Sequence, residues 1–387
     1  MKRRDYQQQS NFNYALLLPI FLMLLLSIWL QYWVGYYDDN NPLKQAGKQV
    51  IFVLVGTVCM FGVKYIRRDI IWKAVPWFYL FSLLLMGSLY FFYDVHMYDI
   101  TGTKRWLDIF GIQFQPSELA KTAYILFISK ELVKYNQKRE GKTIKTDLKM
   151  IGWLAIVSAP LFFLMFVQKD FGTSLVFITV LGALIIASGI NWRIVAVLFA
   201  ILGVIGGSLI FLVFTESGQA ILSSLHFKEY QLNRVRAWVD PFEYAGTIAY
   251  QQVQGLLAIG SGGMFGKGTT GVQVYVPVRE SDMIFTFVGE AYGFIGATAV
   301  ILLYFYLFFQ IFFTGIKSNS TFNIYICVGI VFMLVFQTFE NIGASIGLLP
   351  LTGIPLPFLS QGGTALVSTM LAFGLIFGMD TTKTEHG

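Results

Sequence analysis

Apolar residues gather along this chain in ten long runs separated by short polar or charged stretches. A helix needs about 20 mostly apolar residues to cross the hydrocarbon of a bilayer. The runs at 14–35, 46–63, 74–95, 117–133, 150–167, 174–190, 194–215, 283–315, 322–339 and 362–379 therefore predict ten transmembrane helices. The second and fourth are the least regular, since Lys48 interrupts one and Glu118 with Lys121 the other. The eighth is overlong, which predicts tilting or projection beyond the bilayer. An even count places both termini on the same side. The segment after Met1-Lys-Arg-Arg is a long apolar run without a small-residue cleavage site, so it reads as a retained first span.

Composition agrees with an all-α polytopic membrane protein. Of 387 residues, 56% are hydrophobic and only 13% charged, and the mean hydropathy is +0.63. A soluble domain carries about 25% charged residues. Cys59 and Cys327 both lie in apolar runs and read as small buried hydrophobes, with no disulfide framework.

Basic residues then orient the chain. With a cytoplasmic N-terminus, 17 of the 28 Lys and Arg residues fall on the cytoplasmic side. Ten fall outside, five of them in one long loop that the positive-inside rule discounts. Both termini are thus expected in the cytoplasm, and the net charge of +6 is mainly a topology signal. One large extracytoplasmic loop, 215–282, precedes the eighth span, with smaller outer loops at 96–115 and 340–361. The basic connection 134–149 reads as a solvated cytoplasmic tether, and no repeat of 20–50 residues is present.

The candidate chemistry lies on the outer side. Asp282 ends the long loop where it meets the eighth span, with Arg279 three residues earlier. Arg234 and Arg236 flank Trp238 and Asp240, and Lys104-Arg-Trp106 occupies the loop after the third span. Guanidinium groups grip phosphate oxygens in pairs, and a neighbouring indole offers a flat face to a sugar; lipid headgroups would draw the same basic residues. Glu118 and Lys121 share one helix face and could pair. An ion near the bilayer centre is costly, so both should face the protein interior or a wet cavity. Asp170 closes the fifth span, and helical spacing puts Glu290 two turns below Asp282. Capping of the eighth helix by Ser281 or Asp282 is the structural alternative for that segment.

Other patterns carry less. The stretch Gly260-Ser-Gly-Gly-Met-Phe-Gly-Lys-Gly268 fails the phosphate-loop pattern at Ser261 and Gly268, and Gly266, Gly268 and Gly271 follow no strand, so nucleotide binding is discarded. His96, His226 and His386 fall in no zinc spacing, and no serine-nucleophile elbow is present. Pro350, Pro355 and Pro357 bar a regular helix, which predicts a re-entrant or lid-like loop lining a cavity.

Seven segments, in order, resemble the SEDS family (RodA/FtsW/SpoVE) along nearly the whole chain. They are Gly102-Thr-Lys-Arg-Trp-Leu107, Gln115-Pro-Ser-Glu-Leu-Ala-Lys121, Lys169-Asp-Phe-Gly-Thr-Ser174, Asp240-Pro-Phe242, residues 250–263, Arg279-Glu-Ser-Asp282 with the span after it, and residues 353–363. Lys169 stands where the family commonly has proline. Short tails and the Pro-Val-Arg-Glu-Ser-Asp282 wording are nearer the elongation branch than the division branch. The resemblance implies one integral membrane unit over residues 1–387 of the bacterial cytoplasmic membrane. It further implies a peptidoglycan glycosyltransferase that polymerises lipid II at the outer face, releases undecaprenyl pyrophosphate and supports elongation and cell shape.

In that family the aspartate matching Asp282 is essential, and a general base on the acceptor hydroxyl is the role the residue chemistry offers it. Lys104, Arg105, Lys121, Arg234, Arg236 and Arg279 are candidates to balance the leaving pyrophosphate, with a divalent cation, magnesium or manganese, as a further candidate. Trp106, Glu118, Asp170, Glu290, Ser360 and Gln361 complete the expected binding set. Implied partners are lipid II and undecaprenyl-linked glycan, a class B penicillin-binding transpeptidase and other membrane proteins of the elongation complex; no nucleic acid is expected. A lipid II flippase is the competing class and an inactive scaffold the third. Polar residues gathered in the outer half favour the polymerase.

Overall fold

The computed structural model describes residues 13–37, 41–109, 111–139, 141, 143–215, 218 and 229–379. Thirteen helices and one hairpin are described. Helices α1 (Tyr14–Tyr37), α2 (Pro42–Lys64), α3 (Arg68–Ser88) and the short α4 (Val95–Thr101) lead to strands β1 (Leu107–Ile109) and β2 (Ile112–Phe114). Then follow α5 (Pro116–Lys138), α6 (Ile144–Gln168), α7 (Phe171–Ala187) and α8 (Trp192–Phe214). Helices α9 (Glu229–Val239) and α10 (Tyr250–Ser261) precede α11 (Ile284–Lys317), α12 (Thr321–Ser345) and α13 (Gly363–Phe377). The strands pair antiparallel, Leu107 opposite Phe114 and Ile109 opposite Ile112.

Each of the ten apolar runs coincides with a helix. Seven of these helices, α1, α2, α3, α6, α8, α11 and α12, are long and apolar enough to cross a membrane. Helices α7 and α13 are apolar but shorter, and α5 carries the Glu118 and Lys121 noted above along a largely buried face. Side chains such as Leu16, Met23, Tyr124, Phe177, Tyr304, Ile330 and Phe373 share one apolar core. Trp77, Phe163, Val204 and Phe305 remain exposed on the outside of the bundle. Such a surface is stable only against lipid or another apolar partner. Cys59 and Cys327 form no disulfide among the described residues, and Cys327 is buried beside Met379.

Local chemistry sets the helix ends. Asn41 caps α2 by accepting from the N–H groups of Leu43 and Lys44, with Pro42 at the first helical position. Thr143 and Thr146 form a reciprocal cap on α6, and Asp170 caps α7 by accepting from Thr173 N. Between α6 and α7, Lys169 has φ 57°. Proline is fixed near −65° and has no access to that conformation, so lysine suits the corner this chain builds.

Several expectations need correction. The third helix covers 68–88, starting six and ending seven residues before its apolar run, and the chain has left α3 before Asp94 caps α4 through Met97 N. The expected tether at 134–149 is mostly helix: α5 continues to Lys138 and α6 starts at Ile144, with Arg139 ion-paired to the buried Asp147. The long loop holds two helices, α9 and α10. The eighth run is not one straight rod; it is kinked at Gly293, whose φ 65° and ψ −162° are not helical. Residues 350–362 are non-helical as expected, but they lie inside the bundle, with Ile354, Leu356, Phe358 and Leu359 buried.

Candidate functional site

Asp282 precedes α11. The N-cap position is Met283, which makes no side-chain bond, and not Ser281 or Asp282. For the same reason Glu290 is not simply two helical turns below Asp282, since 282 is outside the helix.

Backbone around Asp282 is fastened from three directions. Asn341, on α12 and 1% exposed, donates from Nδ2 to the carbonyls of Asp282 (2.7 Å) and Ile354 (2.8 Å). Ser360 donates to the Ser281 carbonyl (2.5 Å) and accepts from Leu356 N (2.7 Å). Gln361 N donates to the Glu280 carbonyl (2.7 Å). The third direction comes from α1 and α2. Gln31 donates to the carbonyls of Glu280 (2.9 Å) and Leu359 (3.3 Å), Ser27 to Leu359, Gln45 to Gln361 Oε1 (2.9 Å), and Gln49 to Ser27. These bonds join α1, α2, α12 and the proline loop to the Asp282 segment, and a network so connected has few alternative arrangements.

The Asp282 carboxylate faces Gly353. A Cβ at that glycine would lie 3.5 Å from Asp282 Oδ2, and its φ of +78° is one that side chains rarely adopt. Beside it, Glu340 accepts from the N–H and hydroxyl of Thr352. Gly172, two residues past Asp170, packs against Thr352 and Ile354.

Glu290 is fully buried and holds the end of the long loop. It accepts from Lys267 Nζ (2.9 Å), Arg279 Nη2 (2.5 Å), Gln273 N (2.8 Å) and Val274 N (3.0 Å). Arg279, 1% exposed, also donates to the Val274 carbonyl (2.9 Å) and stacks over Phe287. Both residues therefore stand beneath the Asp282 segment as its support.

The other expected residues divide into groups. Glu118 and Lys121 pair at 2.7 Å, each 4% exposed. Glu118 lines a gap of about 10 Å³, room for one water, with Gln337, Ser360 and the proline loop. Arg105 donates to the Lys169 carbonyl (2.9 Å) and lies 3.3 Å from Asp170 Oδ1, joining the hairpin segment to the α6–α7 corner. Thr364 ties that hairpin to α13 through Gln113 O and Gln115 N. Trp106 is half-buried, its carbonyl accepting from Asp94 N, and Lys104 lies over the rings of Tyr90, Tyr93 and Tyr98. On α9, Arg236 donates to Asn233, while the side chain of Arg234 lies outside the described residues. Trp238 donates to the Gly347 carbonyl (3.2 Å), bringing α9 beside the start of the proline loop. His226 and His386 also lie outside the described residues.

Asn341, Glu340 and the glutamine network were missed by sequence reasoning. A signal existed for the network: Ser27 with Gln31, and Gln45 with Gln49, are spaced four apart on apolar helices, so each pair shares a face. Among the described residues, no group of three or more His, Cys, Asp or Glu side chains is placed to hold a metal ion. Magnesium takes one or two carboxylates and otherwise relies on substrate phosphate and water.

A family model described as "Cell cycle protein", FtsW/RodA/SpoVE, matches residues 9–385. The chain is 30% identical over 347 residues to the probable peptidoglycan glycosyltransferase FtsW of Taylorella equigenitalis, covering 86% of this chain and 87% of that one. It is 28% identical over 372 residues to the peptidoglycan glycosyltransferase MrdB of Escherichia coli K12, covering 95% and 93%. Its fold is similar, with a TM-score of 0.77 and 23% identity over 96% of this chain and 98% of the other, to a chain from "Structural coordination of polymerization and crosslinking by a peptidoglycan synthase complex". With residues 9–385 matched by the family model and seven motifs in the family's order, this chain belongs to the FtsW/RodA/SpoVE family.

Proposed function

We propose that this protein is a glycosyltransferase that polymerises lipid II into glycan strands at the outer face of the bacterial cytoplasmic membrane, with ten spans, cytoplasmic termini and residues 215–282 outside. The observation that carries the reading is the Asp282 carboxylate beside Gly353, on backbone fastened by Asn341, Ser360 and the α1–α2 glutamines. A base held this firmly needs little reorganisation when the proton moves.

Asp282 takes the proton of the acceptor's GlcNAc 4-hydroxyl. The hydroxyl oxygen forms a bond to the anomeric carbon of the lipid-linked donor, the bond from that carbon to pyrophosphate breaks, and undecaprenyl pyrophosphate leaves with its electron pair. The Arg234–Arg236 helix, tethered at Gly347, supplies cations for that group. A magnesium or manganese ion arriving with the pyrophosphate would add charge neutralisation. Arg105, Asp170, Glu118 and Lys121 brace the surrounding loops, and Arg279 and Glu290 brace the loop that carries Asp282. The partner is a class B penicillin-binding transpeptidase that crosslinks the product, a reading supported by the resemblance to a chain of a synthase complex. The role is elongation and cell shape, on the residues of the Asp282 segment, Pro277-Val-Arg-Glu-Ser-Asp282.

Purified protein given labelled lipid II, with and without the transpeptidase, tests the proposal. Wild type should produce glycan ladders. Asp282→Asn keeps the side chain's shape but accepts no proton, so synthesis should fall by about 10²–10⁴ while folding persists. Near-normal ladders from a folded Asp282→Asn protein would end the general-base role. Transport of lipid II without any ladder, in vesicles holding the wild type, would favour the flippase.

A further inference from the structure

A second site lies at the ends of α3 and α6. A cavity of about 250 Å³ opens there, walled by Met86, Leu89, Phe163 and Val167, with Lys104 and Gln168 as its polar members. Its rim faces the outside of the bundle, since Tyr90 and Phe163 are 62% and 66% exposed. In a membrane protein that outside is lipid.

Lys104 and Gln168 distinguish this cavity from an ordinary lipid-facing crevice. The Lys104 ammonium lies 4.2 Å from the Tyr93 ring centroid, 5.4 Å from Tyr90 and 5.8 Å from Tyr98. Ring faces hold the cation in place without neutralising it, and it makes no ion pair among the described residues. Gln168 is 5% exposed. Its Nε2 donates to the Met86 carbonyl (2.9 Å), which fixes the amide, and its Oε1 has no hydrogen-bond partner among the described residues. Buried acceptors are rarely left so. The site thus offers a fixed positive charge, a fixed acceptor and an apolar wall.

We infer that this cavity binds one anionic glycerophospholipid with a hydroxylated head, of the phosphatidylglycerol class. The phosphate meets Lys104, a head hydroxyl donates to Gln168 Oε1, and the upper part of one acyl chain lies along Met86, Leu89 and Phe163. The volume suits that role: it is below the about 300–1,000 Å³ of sites that enclose whole small molecules. The inference is independent of the role given to Asp282.

Native mass spectrometry of the delipidated full chain tests it, with phosphatidylglycerol, phosphatidylcholine of the same acyl chains, and undecaprenyl phosphate as probes. One phosphatidylglycerol should bind, with phosphatidylcholine weaker by about tenfold, because it lacks the hydroxyl that meets Gln168 and brings a quaternary ammonium beside Lys104. Lys104→Gln should weaken phosphatidylglycerol binding and shrink that preference. Gly87 also lines the cavity, and a Cβ there meets nothing within 4 Å. Gly87→Phe should therefore fill the space and remove binding without disturbing the fold. Equal binding of the two phospholipids, or a preference unchanged in Lys104→Gln or Gly87→Phe, would overturn the site. Retention of undecaprenyl phosphate in place of phosphatidylglycerol, lost in Gly87→Phe, would assign the cavity to the substrate and overturn the phospholipid.

Discussion

The Lys121 ammonium and the Glu118 carboxylate meet at 2.7 Å with 4% of each side chain exposed. Removing one partner leaves a charge in low dielectric, whereas removing both leaves none. Lys121→Ala should therefore cost about 3–5 kcal/mol, and Glu118→Met with Lys121→Met should recover much of that loss in thermal unfolding of the detergent-solubilised protein. A single Lys121→Ala protein as stable as wild type, yet inactive, would make the lysine a substrate ligand. This pair was legible in the sequence because the residues are three apart on one helix. The Arg279–Glu290–Lys267 cluster was not. Its members come from a loop and a helix with no common period, so Arg279 and Glu290 each read alone as a candidate for substrate and Lys267 was passed over. Asn341 was illegible for a related reason: its two acceptors are backbone carbonyls far along the chain, and the side chain records nothing of them.

At the scale of elements, the Asp282 segment depends on a close approach between the glycine-rich stretch and α11. A Cβ at Gly262 would lie 2.0 Å from Gly289 O, one at Gly266 2.3 Å from Ala291 O, and one at Gly293 2.3 Å from Gly266 N. Lys267 N and Gly268 N donate to the carbonyls of Glu290 and Ala291, which the kink at Gly293 leaves available. Gly293→Ala combines a positive φ with a backbone clash, so it should destabilise by at least about 1–3 kcal/mol and expose residues 262–282 to limited proteolysis. Gly152→Ala, in α6 where a Cβ meets nothing within 4 Å, is the control and should be neutral or slightly stabilising. Equal stability of the two variants would show that the kink is not required. Hydropathy located every long helix but not this break, since one glycine among apolar residues changes no period. It also passed over α9 and α10, whose sequences are too polar and too short to register as spans.

The whole molecule brings both ends of the chain to one site. Gly56 on α2 packs against Met370 on α13, and Gly374 against the Met60 carbonyl, so the second and last helices are neighbours. Through that contact the glutamines of α1 and α2 reach residues 359–361, which in turn hold residues 280–281. The fixed position of Asp282 thus requires the complete bundle, and its side of the membrane is set by the bundle's orientation. Basic residues outside the long loop divide 17 against five in favour of cytoplasmic termini. A reporter fused at Gly141, between α5 and α6, should read as cytoplasmic, and one at Gly268, in the glycine-rich stretch, as extracytoplasmic. Cysteine accessibility at the same two positions, with an impermeant reagent on intact cells, should agree. Labelling of Gly141→Cys from outside would invert the bundle. Asp282, Gly353 and the arginines of α9 would then face the cytoplasm, and polymerisation at the outer surface would have no base.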